Sequence, residues 1–206
     1  MSPQTLQSKD EIRSLHRKFR MGMQPDALSA AAAGIARHGL SWAAAIADGA
    51  PATFTAYLGV AHEPPTLPLI TALHAAGHKV LLPVCEPDRA LSWVFWDPEC
   101  EFVRSRYAPI KEPAGERHGL EAIREVAGLF LPATAVDLSG NRIGQGGGYY
   151  DKFLADAEAA GLQAPRAAVI SVAMNPGQIA LTVTFRLASS FATVRVKPIK
   201  PAFEAE

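Results

Sequence analysis

The sequence lacks several features that would assign it to a specialised class of protein. No run of eighteen apolar residues occurs among its 206 residues, so no membrane-spanning helix is expected. The first residues show no basic start followed by an apolar core and a cleavage site, which argues against a secretory signal. Lysine plus arginine and aspartate plus glutamate balance at 20 each, so net charge predicts no affinity for nucleic acid or anionic membranes.

Cysteine is also scarce. The chain has two, Cys85 and Cys100, and their spacing is not typical of a metal site. A disulfide between them stays open, but two such thiols favour reduced side chains and a cytoplasmic protein. The chain also lacks an internal repeat, a low-complexity linker and a G-x-S-x-G nucleophile motif. We therefore expect one domain over 1–206, and a monomer.

Helical and strand patterns alternate along the chain. Ser8 and Glu11 have capping-box spacing and predict a helix over 8–21. The other predicted helices cover 26–38, 41–48, 67–77, 119–127 and 149–161. The predicted strands cover 53–60, 78–84, 90–96, 128–138 (with a break at Pro132 as the alternative) and 166–173. This alternation predicts an α/β fold whose sheet is covered by helices on both faces.

The most unusual stretch, RIGQGGGYYD at 142–151, lies between a predicted strand and a predicted helix. Its glycines permit left-handed backbone angles and expose N–H groups at the mouth of a helix, which favours phosphate oxygens. Arg142 adds a guanidinium suited to phosphate. The stretch matches neither the dinucleotide pattern, which needs glycine at Tyr149, nor the Walker pattern around Lys152. The alternative interpretation is a glycine-rich turn with two tyrosines packed in the core.

The first predicted helix carries a second basic element. Its cations recur every three or four residues, with His16 beside them: Lys9, Arg13, Arg17 and Arg20. A solvated helix face is the alternative explanation. Together with the glycine stretch, however, these cations would balance a triphosphate better than either element alone.

These residues resemble those of the 5-formyltetrahydrofolate cyclo-ligases, also called methenyltetrahydrofolate synthetases. Residues 142–151 resemble the family's R-[LI]-G-x-G-x-G-Y-Y-D motif. Residues 9–13 (KDEIR), 79–83 (KVLLP) and 109–113 (PIKEP) resemble three further family motifs, and 131–142 resembles the segment that precedes the glycines. The similarity runs from about residue 9 to about residue 178.

The resemblance implies a three-layer α/β/α sandwich that is Rossmann-like and similar to sugar isomerases and CoA transferases. It implies an enzyme that uses Mg²⁺ and ATP to convert 5-formyltetrahydrofolate to 5,10-methenyltetrahydrofolate, releasing ADP and phosphate. Phosphorylation of the formyl oxygen makes that oxygen a good leaving group when a folate nitrogen closes the ring. The protein then mainly aligns the reactants and neutralises charge.

The resemblance also implies roles for particular residues, with Lys9 and Arg142 acting in catalysis and Asp151 binding magnesium. The implied ATP-binding residues are Lys9, Arg13, Arg142, Ile143, Gly144, Gln145, Gly146, Gly147, Gly148, Tyr149 and Tyr150. The implied folate-binding residues are Leu58, Glu63, Gln145, Gly146, Gly147, Gly148 and Tyr149. Glu63 would accept hydrogen bonds from pterin N–H groups.

The sequence departs from the family in two places. Pro65 replaces an acidic residue near Glu63, and no aspartate follows Asp156, although the family places a second metal ligand near its C-terminus. The segment 179–206 is therefore divergent. Three hypotheses remain open: an active cyclo-ligase, a folate- or nucleotide-binding relative with impaired catalysis, and an unrelated α/β enzyme of nucleotides or sugar phosphates.

Overall fold

The computed structural model describes residues 8–61, 63–136 and 141–169, together with the backbone of four strand segments beyond them. The strands are β1 (Thr53–Thr55), β2 (Lys79–Cys85), β3 (Leu91–Trp96), β4 (Phe102–Arg104), β5 (Lys111–Pro113), β6 (Val126–Pro132), β7 (Ala135–Val136), β8 (Arg142–Ile143), β9 (Arg166–Val169), β10 (Val172–Asn175), β11 (Gln178–Ala180), β12 (Thr184–Leu187) and β13 (Ser190–Thr193).

Seven of these strands form the central sheet, in the order β13-β12-β9-β6-β1-β2-β3. The four inner strands run parallel, because β1 pairs in parallel with β2 and β6, and β6 with β9. The flanking strands β3, β12 and β13 pair antiparallel. The carboxyl ends of β1, β2 and β6 consequently meet at one edge of the sheet, where ligand sites of α/β proteins form.

Helices cover both faces of the sheet. They are α1 (Lys9–Met21), α2 (Pro25–Ala47), α3 (Leu67–Ala75) and α4 (Tyr149–Ala159), with short 3₁₀ turns at Pro87–Arg89 and Leu120–Ile123. On one face Ile35 of α2 and Leu69 of α3 pack with Phe54 and Phe130. On the other, Phe153 of α4 packs with buried side chains that include Leu81. Alternation of side chains along β2 supplies both cores. The predicted three-layer α/β/α fold is confirmed.

The prediction of separate helices over 26–38 and 41–48 was wrong, because α2 is continuous from Pro25 to Ala47. Gly39 lies within it and does not end it. A Cβ added at Gly39 would lie 2.5 Å from Leu69 Cδ1, so glycine allows α2 to approach α3 closely.

The strand predicted over 53–60 ends at Thr55. The chain then folds back on itself, since the Gly59 N–H donates to Thr66 Oγ1 at 2.8 Å and the Thr66 hydroxyl donates to the Tyr57 carbonyl. The Ala56 N–H still donates to the Leu81 carbonyl of β2 at 2.9 Å, and residues 57–60 belong to the loop that follows the strand. The helix predicted over 119–127 is only the 3₁₀ turn Leu120–Ile123. The strand predicted over 128–138 is interrupted after Pro132, as its alternative stated.

Some predicted features lie outside the described residues. These are residues 137–140, which precede the glycine stretch, residues 170–171 of the strand predicted over 166–173, and the chain beyond 193. Among the described residues no helix is both long and apolar enough to cross a membrane.

Candidate functional site

A cavity of about 540 Å³ opens at the carboxyl edge of the sheet. Its floor is formed where β1, β2 and β6 end, by Leu58, Pro83 and Pro132 among others. One wall is the glycine stretch, here called the glycine loop (residues 144–148). A second wall is the segment 107–111, which runs from the connection between β4 and β5 into the first residue of β5. Most of the lining is apolar, with a small number of polar groups, as in sites for small organic ligands.

The glycine loop leads directly into α4. Gly146 and Gly148 have φ angles of 104° and 77°, a left-handed region that side chains disfavour. Gly148 caps α4, and this glycine has no side chain that could form a capping hydrogen bond. The first-turn N–H groups and the positive end of the helix dipole therefore remain available to an anion.

A long-range hydrogen bond joins α1 to the glycine loop. The Arg13 guanidinium Nε donates to the Gly144 carbonyl at 2.9 Å, across 131 positions of sequence. A second nitrogen of Arg13, Nη1, binds Asp10 Oδ1 at 2.7 Å, and this orients the guanidinium. A Cβ added at Gly146 would lie 3.7 Å from Arg13 Cζ. One cation of the first helix thus lies beside the exposed backbone of the loop.

Arg142 supplies a second cation to the same wall. Its Nη1 donates to the Pro132 carbonyl at 3.0 Å, and its Nη2 binds Asp151 Oδ1 at 2.5 Å. Burial lowers the pKa of the guanidinium, and the Asp151 carboxylate opposes this effect. Arginine stays protonated in spite of such shifts, so a fixed positive charge lies next to the loop.

Glu63 lies at the β1 side of the cavity. Its carboxylate Oε2 accepts from the Val60 N–H at 3.2 Å, within the loop that Thr66 closes. Burial raises the pKa of Glu63, while the Val60 N–H, the Arg20 guanidinium and the Gln145 side chain oppose the rise. Arg20 is itself buried, with 7% of its surface exposed. A hydrogen-bond acceptor is thereby held in an apolar cavity.

The structure brings most of the residues of the sequence hypothesis together. The cavity is lined by Leu58, Glu63, Arg142, Gly144, Gln145, Gly146, Gly147, Gly148, Tyr149, Tyr150 and Asp151. Arg13 contacts the loop from outside this lining. Lys9 is exposed at the start of α1, and Ile143 is half-buried in β8, where its carbonyl accepts from the Thr134 N–H. Neither lines the cavity of the described residues.

Sequence reasoning missed the wall formed by 107–111. It also missed Cys85, which lines the cavity floor, and the burial of Arg20. The motif at 109–113 is a usable signal for the wall, because these residues resemble a family motif, although that resemblance implies no role for them. Tyr149 connects this wall to the glycine loop, because its hydroxyl donates to the Tyr107 carbonyl at 3.3 Å.

The carboxylates of the cavity bear on metal binding. Among the described residues that line it, Glu63 and Asp151 carry carboxylates, and Asp151 is exposed at the rim. In the described part of the chain no group of three or more His, Cys, Asp or Glu side chains could hold a metal. This arrangement fits Mg²⁺ that arrives bound to phosphates, because that ion needs one or two carboxylates besides phosphate and water oxygens.

Comparison with known proteins identifies similar sequences. The profile of the 5-formyltetrahydrofolate cyclo-ligase family matches residues 5–183. A 5-formyltetrahydrofolate cyclo-ligase of Mycolicibacterium smegmatis is 37% identical over 112 residues, which cover 52% of this chain and 57% of the relative. One from Escherichia coli is 36% identical over 104 residues, or 50% of this chain and 57% of the relative. The chain spans little more than half the length of these curated relatives.

Two solved structures share the fold. The 5,10-methenyltetrahydrofolate synthetase of Aquifex aeolicus superposes with a TM-score of 0.57 at 18% identity, covering 91% of this chain and 93% of that one. The synthetase of Mycoplasma pneumoniae gives a TM-score of 0.53 at 14% identity, covering 72% and 78%. At these identities the likeness bears on the fold alone.

Proposed function

Because this chain belongs to the 5-formyltetrahydrofolate cyclo-ligase family, we propose that it catalyses the ATP-dependent cyclisation of 5-formyltetrahydrofolate to 5,10-methenyltetrahydrofolate. The observation that carries the proposal is the hydrogen bond between Arg13 and Gly144. It joins the basic helix to the glycine loop on one wall of a cavity that also contains Glu63. Because the chain belongs to this family, the hypothesis of an unrelated α/β enzyme of nucleotides or sugar phosphates is excluded.

The phosphate half of the site is formed by the glycine loop, Arg13 and Arg142. The bare N–H groups at the start of α4 and the two guanidinium groups provide positive charge for a triphosphate. Lys9, one turn before Arg13 on α1, extends the same charge and reaches the phosphates from the exposed side. When bound, Mg²⁺ neutralises charge on the transferred phosphoryl group, and Asp151 would hold it.

The folate half is formed by Leu58, Glu63 and the inner face of the loop. The Glu63 carboxylate accepts hydrogen bonds from pterin N–H groups, and the apolar floor packs against the ring. The folate formyl oxygen is then directed towards the phosphate half, where its phosphorylation precedes ring closure. The chain acts by alignment and charge compensation, with no nucleophile of its own.

Further properties of the chain belong to the same proposal. The chain acts as a single domain, since the described cavity lies at the edge of one seven-stranded sheet, and it acts as a monomer. It acts on a small molecule, and its balanced charge supports neither nucleic acid nor membrane as a partner. Both cysteines are free thiols, which supports a cytoplasmic location.

A binding protein with impaired catalysis is the second candidate. It is favoured by the end of the family match at residue 183 and by the lack of aspartate after Asp156. The catalytic proposal requires the methenyl chromophore to form when purified protein is mixed with Mg·ATP and 5-formyltetrahydrofolate. Ligand binding without the chromophore would favour the second candidate. If the protein neither binds a ligand nor forms the chromophore, both candidates are contradicted.

The Arg13→Ala variant tests the geometry within that assay. We expect its KM for ATP to rise at least tenfold, because one hydrogen-bonded cation of the phosphate half is lost. The KM for folate should change less than threefold. A larger effect on folate than on ATP would contradict the division of the cavity into two halves.

A further inference from the structure

Three arginines lie against the glycine loop, one beside each of three alternate glycines. The distance from an added Cβ to a guanidinium atom is short at each of them: 3.1 Å from Gly144 to Arg142 Nη1, 3.7 Å from Gly146 to Arg13 Cζ, and 3.4 Å from Gly148 to Arg89 Nη1. Each glycine therefore leaves room for a guanidinium group where another residue would place its side chain. Arg13 and Arg142 belong to the proposed phosphate half, and Arg89 reaches the same loop from a different element.

That element is the turn that joins β2 to β3. Cys85, the last residue of β2, faces Leu91, the first residue of β3, across the antiparallel pair. The Glu86 N–H donates to the Ala90 carbonyl at 2.9 Å and continues the pairing towards the turn. Because β2 ends at the carboxyl edge of the sheet, the turn carries Arg89 at the edge where the glycine loop lies.

The turn holds Arg89 in a backbone conformation that arginine disfavours. The Ala90 N–H donates to the Pro87 carbonyl at 3.1 Å and closes the turn. Its two central residues, Asp88 and Arg89, have φ angles of 56° and 60°. Turns with positive φ at both central positions prefer asparagine or aspartate followed by glycine. Asp88 follows this preference and Arg89 does not, so the strained arginine points to a role in function.

The Arg89 guanidinium is accessible to a ligand. The residue is exposed, and its Cδ and Nη1 lie 3.3 Å and 3.4 Å from a Cβ added at Gly148, which lines the cavity. Arg13 and Arg142 each bind a carboxylate of the protein, whereas Arg89 forms no ion pair within the described part of the chain. Its positive charge is therefore available to an anionic group of a substrate.

We propose that Arg89 binds a phosphate oxygen of ATP beside Gly148, as the third guanidinium of the phosphate half. The inference rests on the proposed function. A triphosphate carries several negative charges along its length, and the three guanidinium groups follow the glycine loop from Gly144 to Gly148. Arg142 and Arg89 lie at opposite ends of this row, so they contact different phosphate oxygens.

The Arg89→Gly variant tests the contact, because glycine suits the backbone of the turn and removes the guanidinium. We expect the Kd of Mg·ATP, measured without folate, to rise about fivefold to tenfold. The Kd of 5-formyltetrahydrofolate should stay within twofold. Arg89→Lys should keep part of the affinity for Mg·ATP, because lysine keeps the charge without the planar fork. The Tm of Arg89→Gly should equal or exceed that of the wild type, since left-handed angles strain arginine and not glycine.

Asp88→Gly is the matched control. It places glycine in the same turn, one position earlier, and removes a carboxylate instead of a guanidinium. We expect it to leave Tm equal to or above that of the wild type and to leave the Kd of Mg·ATP within twofold. An equal rise of this Kd in the two glycine variants would assign the effect to the shape of the turn and would overturn the inference.

The two ligands distinguish the remaining outcomes. Weakening of 5-formyltetrahydrofolate alone would place a folate carboxylate at Arg89, and no change for either ligand would leave Arg89 without a role; both results overturn the inference. If wild-type protein forms the methenyl product while Arg89→Gly binds Mg·ATP as tightly, this inference alone fails. If wild-type protein binds Mg·ATP without forming the product, the proposed catalysis fails and the Kd values still decide the inference. If it binds neither ligand, both fail.

Discussion

Arg142 and Asp151 form an ion pair between groups of very different exposure. The Arg142 side chain is 12% exposed, whereas that of Asp151 is 75% exposed. An exposed carboxylate contributes little to stability through its ion pair, since solvent screens the charge. The fold therefore depends little on Asp151, and we expect its substitution to lower activity while leaving stability nearly unchanged.

The Asp151→Asn substitution should lower kcat at least tenfold, because the amide is a poor magnesium ligand. The free energy of unfolding should change by less than about 1 kcal/mol. Steady-state kinetics and denaturant titration measure the two effects. Asp156→Asn is the control, because Asp156 also forms an ion pair on α4, with Lys152 at 2.9 Å, but does not line the cavity. Equal kcat in the two variants would remove Asp151 from the metal role.

The protonation of Glu63 should control folate binding. Burial raises its pKa above the usual value of 4.5, so it takes up a proton at a higher pH than an ordinary glutamate. We expect the Kd of 5-methyltetrahydrofolate, which cannot cyclise, to rise as pH falls through this raised pKa. The Glu63→Gln variant should bind more weakly at neutral pH and lack this acid dependence. Titrations over the acid range measure both; an unchanged dependence in the variant would assign it to another group.

The raised pKa of Glu63 also affects the stability of the fold. Protonation of Glu63 weakens folate binding, but it stabilises the folded protein. Because the folded state holds the Glu63 proton more tightly than the unfolded state, protonation favours folding. The stability that Glu63 contributes is present below its usual pKa and is lost as pH rises through the raised one. The ionised Glu63 carboxylate, which accepts hydrogen bonds from the ligand at neutral pH, thus slightly lowers the free energy of unfolding of the ligand-free protein.

Helix α1 brings Arg13 to the site, and the start of α1 is stabilised by a capping box. The Ser8 hydroxyl accepts from the Glu11 N–H at 3.2 Å, and the Ser8 N–H donates to Glu11 Oε2 at 2.6 Å. Ser8→Ala should destabilise the helix by about 1 kcal/mol. The KM for ATP should therefore rise more than the KM for folate.

Hydrogen exchange of the α1 amides and steady-state kinetics measure these two effects. Ser14→Ala is the matched control, because Ser14 is exposed in the middle of the same helix and alanine is a better helix former. It should leave the KM for ATP unchanged. An equal rise in KM for ATP in both variants would show that the capping box does not act on ATP binding.

The elements that could be predicted from sequence are those with strong local signals. Ser8 and Glu11 locate the start of α1, and the glycines before Tyr149 locate the start of α4. Elements decided by distant contacts were missed. Gly39 resembles a helix break until Leu69 is known to pack on it, and the loop closed by Thr66 is invisible in the alternating pattern.

The candidate site likewise has features that the sequence predicts and features that depend on distant contacts. Its residue types and their spacing indicated a phosphate cradle and a basic helix. Which cations of that helix face inward could not be predicted, because it depends on what α1 packs against. Arg13 is half-buried and Arg20 buried, whereas Lys9 and Arg17 are exposed. The burial of the Tyr150 hydroxyl without a partner among the described residues was also beyond prediction, since hydrogen-bond partners exist only in the folded chain.

At the scale of the whole molecule, the described residues offer a metal few ligands, since they contain no group of three or more His, Cys, Asp or Glu side chains that could hold one. We expect EDTA to stop turnover and to leave the Tm of the ligand-free protein unchanged. Mg²⁺ should raise Tm only when ATP is present, because the ion then binds with the nucleotide to the folded state. Thermal melts with and without each ligand measure this. A fall in the Tm of ligand-free protein on adding EDTA would indicate a resident metal instead.

The hydrogen bond from Arg13 to Gly144 spans 131 positions, and this has a consequence for biosynthesis. A chain emerging from the ribosome exposes its basic helix long before the glycine loop has been translated. Contacts between such distant positions form late, since a long loop must close first. A nascent chain that stops short of the glycine loop therefore lacks the contact between Arg13 and Gly144, and under the proposed function it would lack the phosphate half of the site.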